Sequence, residues 1–184
     1  MSKYARVTKK ILKDIDWRAF DDLRHRINAG KHVVRVGVPS GETEADGTPL
    51  TLIAAVHEFG TGDGHVPERA FLRTAMQRNA KKYVALNRRN LLAILNKRMT
   101  VEQALGLLGE MAKGDVQTEI RHGQFKPLDP KTIAARRRAR SNGYNQSLQR
   151  KVKAKEASGT AAGPIDRPLI DSGQLRQSIT WAIE

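Results

Sequence analysis

The chain has 184 residues, enough for one domain with a self-sufficient core, and its 5% aromatic content puts the weight of that core on Leu, Ile, Val and Ala. It has no cysteine, which excludes disulfides, thiolate catalysis and cysteine-ligated zinc and fits a cytosolic or particle-assembled protein. With 33 Lys and Arg against 19 Asp and Glu the net charge is +14 and the isoelectric point near 10.4, a balance that favours a polyanionic neighbour such as nucleic acid or an acidic protein surface.

In chain order, residues 5–29 predict an amphipathic helix, because Ile11, Ile15, Ala19, Leu23 and Ile27 fall at four-residue steps and Val7, Leu12 and Phe20 widen the stripe. Gly30 suits its C-terminal cap. In "HVVRVGV" the alternation of Val34, Val36 and Val38 predicts a strand over 32–38, and "PSGETEADGTP" predicts a mobile, turn-rich loop. Thr48 is expected to cap a short helix with Pro49 at its first position, carrying Ile53, Val56 and Phe59. A second, long helix is predicted from Pro67 toward residue 97, with Phe71, Leu72, Ala75, Met76, Tyr83, Leu86 and the run Leu91 to Leu95 as its apolar stock. A third opens at Thr100, which forms a capping-box pattern with Gln103, and presents Ala104, Leu105, Leu108, Ala112, Val116 and Ile120 on one face. Gly106, Gly109 and Gly114 interrupt that helix at about 1 kcal/mol each relative to Ala, which predicts a kink or the close approach of another backbone.

"PLDPKTIAARRRAR" predicts a short basic helix from about residue 130, and residues 139–163, poor in large apolar side chains, predict an extended basic arm or disordered loop. Asp171 and Gln174 suggest a capped turn, after which Ile179, Trp181 and Ile183 alternate as a strand. There is no internal repeat. The expected fold is a single α+β domain over 1–184, a small and mostly antiparallel sheet of 32–38 and 178–183 packed against long helices. The first thirty residues show no signal-peptide pattern and no stretch reaches the roughly 18 apolar residues of a membrane span, so a soluble protein without membrane contact is expected.

Charge is divided along the chain. From Lys126 to Lys155 ten basic residues face one acid, a net of +9, whereas Val36 to Glu68 holds six acids and no Lys or Arg, a net of −6.

The stretch "AAVHEFGTGDGHVPERAFLRTA", residues 54–75, concentrates the chemistry. A zinc-protease helix needs a second histidine four residues after the first, and His57-Glu58 is followed by Phe, Gly and Thr; His65 lies eight residues on, across glycines. "GTGDG" resembles a phosphate cradle, but a helix precedes it in place of a strand and no Gly-Lys-Ser/Thr follows. The glycines therefore read as a sharp reversal between two helices, with Pro67 opening the second. Glu58 beside Phe59 needs a partner if buried: Arg69, Arg73 or an arginine of a neighbouring chain. Ser172 lies in Asp-Ser-Gly and lacks the glycine elbow of a nucleophile; its plain reading is a helix cap. No cofactor, metal or catalytic set is expected. Arg136 and Arg140, four apart on one helix, can track phosphates, yet Tyr144 is the single aromatic of 126–155, which argues against base-specific readout.

Three blocks together resemble a known family. "AAVHEFGTGDGHVPERAFLRTA", "PLDPKTIAARRRA" and "RPLIDSGQLRQSITWAI" are similar, in that order, to hallmarks of the virion morphogenesis proteins of tailed bacteriophages, the tail-completion and head-tail joining (neck) group. The likeness covers most of residues 32–184; Ala70 stands where the family often has Pro, and Ser172 where Thr is usual. It implies a non-enzymatic structural virion protein, assembled in the host cytoplasm, forming a homo-oligomeric ring such as a hexamer or dodecamer at the head-tail junction. Its implied partners are portal or adaptor and tail-tube or terminator proteins, with passing contact to genomic DNA. On this reading Glu58, Phe59, Gly60, Thr61, Arg69, Phe71, Asp171, Gly173 and Leu175 are candidates for the subunit interface or the structural corner. Arg136, Arg137, Arg138, Arg140, Arg150, Lys151 and Lys153 are candidates for contact with a partner or DNA, and the arm over 139–163 is expected to strap onto adjacent proteins. Two alternatives stay open: a basic module that binds the nucleic-acid backbone, and a hydrolase or metalloprotein centred on His57, Glu58 and His65.

Overall fold

A computed structural model describes residues 32–141 and 167–184, together with Arg18, Asp21, Asp22, Arg24 and His25. The elements follow the order β1 (Val34–Gly37), α1 (Leu50–Phe59), α2 (Phe71–Leu95), α3 (Val101–His122), α4 (Pro130–Ser141), α5 (Gln174–Ser178) and β2 (Thr180–Ile183). The fold is α+β. β1 and β2 form a two-stranded antiparallel sheet, extended at its end by the reciprocal amide-to-carbonyl bonds of Val33 and Glu184 at 2.8 and 2.9 Å. Both strands lie where Val and Ile alternate, each shorter than expected. The predicted helix over 5–29 and the arm over 139–163 fall outside the described residues, except that the five positions between Arg18 and His25 are helical, as is the chain up to Ser141.

The chain forms two compact units. One comprises Val36–Asn79 and Ala112–Thr180; the other comprises Ala80–Met111, Trp181–Glu184 and the chain up to Arg35. In the first, Ala54, Phe71, Ala75, Val116, Ile120, Leu169, Ile170, Leu175 and Ile179 make one buried core, with Val36, Val38, Ile53, Leu72, Met76 and Phe125 packed against it. Phe71 and Val116 are wholly buried, and a core phenylalanine of this kind contributes about 2–3 kcal/mol. Beside this core the Glu119 carboxylate is buried and meets Arg78 Nη1 at 2.7 Å.

In the second unit the α3 capping box is present in full. The Thr100 amide donates to Gln103 Oε1 at 3.0 Å and the Gln103 amide donates to Thr100 Oγ1 at 3.2 Å, which satisfies two amides that the helix cannot. Buried Asn90 of α2 donates through Nδ2 to the Ala104 carbonyl at 3.3 Å. Among the glycines of α3, the nearest neighbour is an aromatic ring where the approach of a backbone was expected. A Cβ on Gly109 would overlap Cδ2, Cε3 and Cγ of Trp181, and one on Gly106 would touch the far edge of the same indole at 3.5 Å. Trp181 Nε1 donates to Glu110 Oε1 at 2.8 Å, so the ring is held at both its face and its polar edge. Gly114 has open space around it, and α3 runs through all three glycines without a break.

Two helix starts differ from expectation. Pro49, not Thr48, occupies the position before α1, with extended backbone and no side-chain cap, while the Thr48 amide donates to Asp46 Oδ1 at 2.9 Å in a turn of its own. The second helix begins at Phe71, four residues after Pro67, because its cap comes from another element.

Gly109→Ala is expected to destabilise the protein by about 1–3 kcal/mol through overlap with the indole, outweighing the helix preference for Ala. Gly114→Ala is expected to stabilise it by about 0.5–1 kcal/mol. Urea unfolding of the two variants beside the parent checks the opposite signs.

Candidate functional site

The corner after α1 is built from glycine geometry. Gly60 has φ 72°, and a Cβ there would lie 2.9 Å from the Glu68 amide nitrogen and 3.0 Å from the Val66 carbonyl, so both the turn and the close backbone require glycine. The Gly60 amide closes α1 by donating to Val56 O at 2.8 Å. Within the loop Thr61 N donates to Val66 O, Gly64 N to Thr61 O, Val66 N to Thr61 Oγ1 and His65 N to Asp63 Oδ1, all at 2.9–3.0 Å. These amides are spent on one another. The glycine run therefore closes a loop and does not hold them out as a phosphate cradle would.

Beyond the loop the chain returns against α1, where the Arg69 amide donates to the His57 carbonyl at 2.7 Å. This return places the start of α2 on Glu58. The carboxylate is only 6% exposed, and Oε2 accepts the Leu72 amide at 2.9 Å while Oε1 accepts the Arg73 amide at 3.0 Å. These are the second and third residues of α2, whose amides have no partner within the helix and whose partial positive charge favours an anion. One helix thus supplies the N-terminal cap of the next. Of the two arginines expected to meet Glu58, Arg73 does so from the side, with Nε 3.8 Å from Oε1 and Nη2 3.4 Å from the Glu58 carbonyl, and it also grips Glu68 at 2.6 Å.

Arg69 does something else. It is buried, and its Nε and Nη2 donate to the carbonyls of Lys126 and Pro127 at 3.1 and 3.4 Å, tying the corner to the segment before α4. Burial, and then the charge of Arg136, hold its pKa below the usual arginine value. Arg136 is a second tie of the same kind. Its Nη1 donates to the carbonyls of Arg167 and Ile170 at 3.0 and 3.3 Å, and its Nε lies 3.3 Å from Asp171 Oδ2. Asp171 is therefore an ion-pair partner and not the cap of the last turn. The position before α5 is Gly173, at φ 79° and without a side-chain cap, and Ser172 beside it accepts the Gln174 amide at 3.1 Å and donates to Glu44 Oε1 at 2.8 Å.

Glu58, Gly60, Thr61, Arg69, Phe71, Asp171, Gly173 and Leu175 accordingly belong to one packed framework, and Arg136 joins them through its backbone bonds. Phe59 does not join them. It is 72% exposed, as is Leu52 at 55%, two turns earlier on α1. Arg137 and Arg138 are exposed on α4; the side chain of Arg140, and Arg150, Lys151 and Lys153, lie outside the described residues. The framework role of Arg136 was hidden because backbone carbonyls leave no mark in a side-chain pattern. The outer face of α1 was missed too, although "LTLIAAVHEF" is apolar nearly all round and so carries a local signal for it.

His57 sits half-buried against this framework, and its Nδ1 is buried without a hydrogen-bond partner among the described residues. Burial first, and then the charges of Arg69 and Arg136, push its pKa down to about 4. It is neutral at neutral pH. His65 is exposed in the loop, and among the described residues no group of three or more His, Cys, Asp or Glu is gathered closely enough to hold a metal ion. No family model matches the chain, and neither the curated proteins nor the solved structures compared with it give a match.

Because the folded pKa of His57 lies below its ordinary 6.5, the folded state binds fewer protons between those values. The stabilisation is present above about pH 6.5 and is lost as the pH falls toward about 4. At about 1.4 kcal/mol per unit, discounted for partial solvent contact, the loss is about 1–2 kcal/mol. Urea unfolding at pH 4.5 and 7.0 is expected to show a fall in stability smaller by that amount in His57→Gln than in the parent.

Proposed function

We propose that this chain is a structural virion protein of a tailed bacteriophage that assembles as an oligomeric ring at the head-tail junction, in tail completion or head-tail joining, and does no catalysis. The observation that carries this reading is where the three resembling blocks go. Residues 54–75, 127–139 and 167–183 are far apart in the chain, yet the first is tied to the second through Arg69, and the second to the third through Arg136. Their distinctive charged and hydroxyl residues hold backbone: Glu58 caps α2, Arg69 and Arg136 grip carbonyls, and Ser172 accepts the Gln174 amide. A framework of that kind is what a building block needs, and both oxygens of its one buried corner carboxylate are already occupied by amides.

The charge division adds support. A ring grows by heterologous contacts, in which one surface of a subunit meets a different surface of the next, and the acidic stretch over 36–68 and the basic stretch over 126–155 give the chain two regions of unlike charge. Portal or adaptor proteins on one side and tail-tube or terminator proteins on the other are the partners of this reading, and the virion neck is its location. Genomic DNA is in passing contact only. Among the described residues no helix is long and apolar enough to cross a membrane. The second reading, a module that binds the nucleic-acid backbone, has the exposed Arg137 and Arg138 in its favour.

Native mass measurement and electron microscopy of the full chain at micromolar concentration are expected to show closed rings whose mass is a multiple of the 20.5 kDa protomer. Duplex DNA binding by the same sample is expected to be weak at low salt. A persistent monomer whose DNA affinity is high and falls by about 1,000-fold or more between roughly 50 and 200 mM salt would replace the ring by the second reading.

A further inference from the structure

α1 has two apolar faces, and among the described residues only one of them is packed. Leu50, Ala54 and Glu58 are buried, and Ile53 and His57 are partly buried beside them, which defines the inner side at helical spacing. On the other side Leu52, Ala55 and Phe59 are exposed at steps of three and four residues, so they form a second stripe two turns long. A helix on a solvated surface ordinarily carries charges there. This one carries none: α1 has no Lys or Arg, and its single acid, Glu58, is turned inward to cap α2.

The charges lie at the two ends of the stripe. The loop before α1 exposes Glu42 and Asp46, and the loop after it exposes Asp63 and Glu68. Asp46 and Asp63 are fixed in place by accepting the amides of Thr48 and His65. Glu68 is paired with Arg73. An apolar stripe between carboxylates repels nucleic acid and anionic lipid, and it fits a partner that presents a cationic helix. The chain carries such a helix. α4 reads PKTIAARRRARS, with Arg136 drawn inward to Arg167, Ile170 and Asp171 while Lys131, Arg137 and Arg138 are exposed, at the head of the segment with ten basic residues and one acid.

We propose that the outer face of α1, formed by Leu52, Ala55 and Phe59 between Asp46 and Asp63, is the surface on which a second copy of this chain docks, with Arg137 and Arg138 of its α4 set against those carboxylates. The contact is heterologous, since the face and the cationic helix are different surfaces, and repetition of it propagates from copy to copy. It rests on the ring reading above and names the joint of that ring. Exposed aromatic and aliphatic side chains supply the adhesion, and the unlike charges set the register and exclude face-to-face pairing of like acids.

The test uses the full-length chain and reads assembly by sedimentation velocity over a concentration series, with far-UV circular dichroism to confirm folding; every substituted residue is on the surface. Leu52→Ser/Phe59→Ser is expected to raise the apparent dissociation constant at least about 30-fold, the loss typical of two central contacts. Two charge variants follow: Asp46→Lys/Asp63→Lys and Arg137→Glu/Arg138→Glu. Each alone is expected to be monomeric, because its face and its helix now carry the same sign. An equal mixture is expected to assemble again, because each unlike pair is restored in alternation. Failure of the folded pair to assemble on mixing, or wild-type assembly by Leu52→Ser/Phe59→Ser, overturns this joint while leaving the ring reading intact. In that event the face belongs to a different protein or to none. A wild-type chain that stays monomeric at every concentration overturns the ring reading itself.

Discussion

A carboxylate from the end of one helix holding the first amides of the next organises the larger of the two units. Glu58 is too deeply buried to be left uncompensated, and the α2 amides of Leu72 and Arg73 have no partner in their own helix. Each solves the other's problem. The pairing sets the angle at which the chain re-enters after the glycine corner, and that angle brings Phe71 into the core and Arg69 against the carbonyls of Lys126 and Pro127. From there Arg136 continues the tie to Arg167, Ile170 and Asp171. The corner could not close with any other residue at position 60, where the left-handed backbone and the nearby Glu68 amide leave no room for a Cβ.

How legible this was depended on whether a feature is written in local periodicity or in distant partners. Val34 to Gly37 and Thr180 to Ile183 are short alternating runs, and the Thr100 and Gln103 box is a local motif; both could be read because their physics is contained within a few residues. The start of α2 was misplaced by four residues because its cap lies 14 positions upstream, on another helix, where no local rule looks. The glycines of α3 announced a close neighbour, but only the fold could show that it was Trp181. Asp171 was taken for a cap because Asp is a good one, and Arg136 then claimed it. Arginine-to-carbonyl bonds are the least legible of all, since an Arg that reads as a phosphate contact and an Arg that staples two loops look alike in sequence.

The same division separates interior from surface. The buried side of α1 serves the corner, and its other side exposes Leu52, Ala55 and Phe59. The acids of the flanking loops and the cations of α4 are likewise unlike surfaces of one molecule. The most distinctive polar residues of the larger unit are consumed by its own backbone, which is the observation behind the proposed role as a building block.

The measurement that bears most directly on this account is the equilibrium stability of Glu58→Gln, read together with amide hydrogen exchange at Leu72 and Arg73. A charged acceptor serving two amides is worth about 2–4 kcal/mol when its replacement leaves them poorly paired. The account predicts a loss of that size, with exchange at those two amides accelerated beyond the rest of α2. Unchanged stability, or protection at Leu72 and Arg73 that survives the substitution, would contradict it.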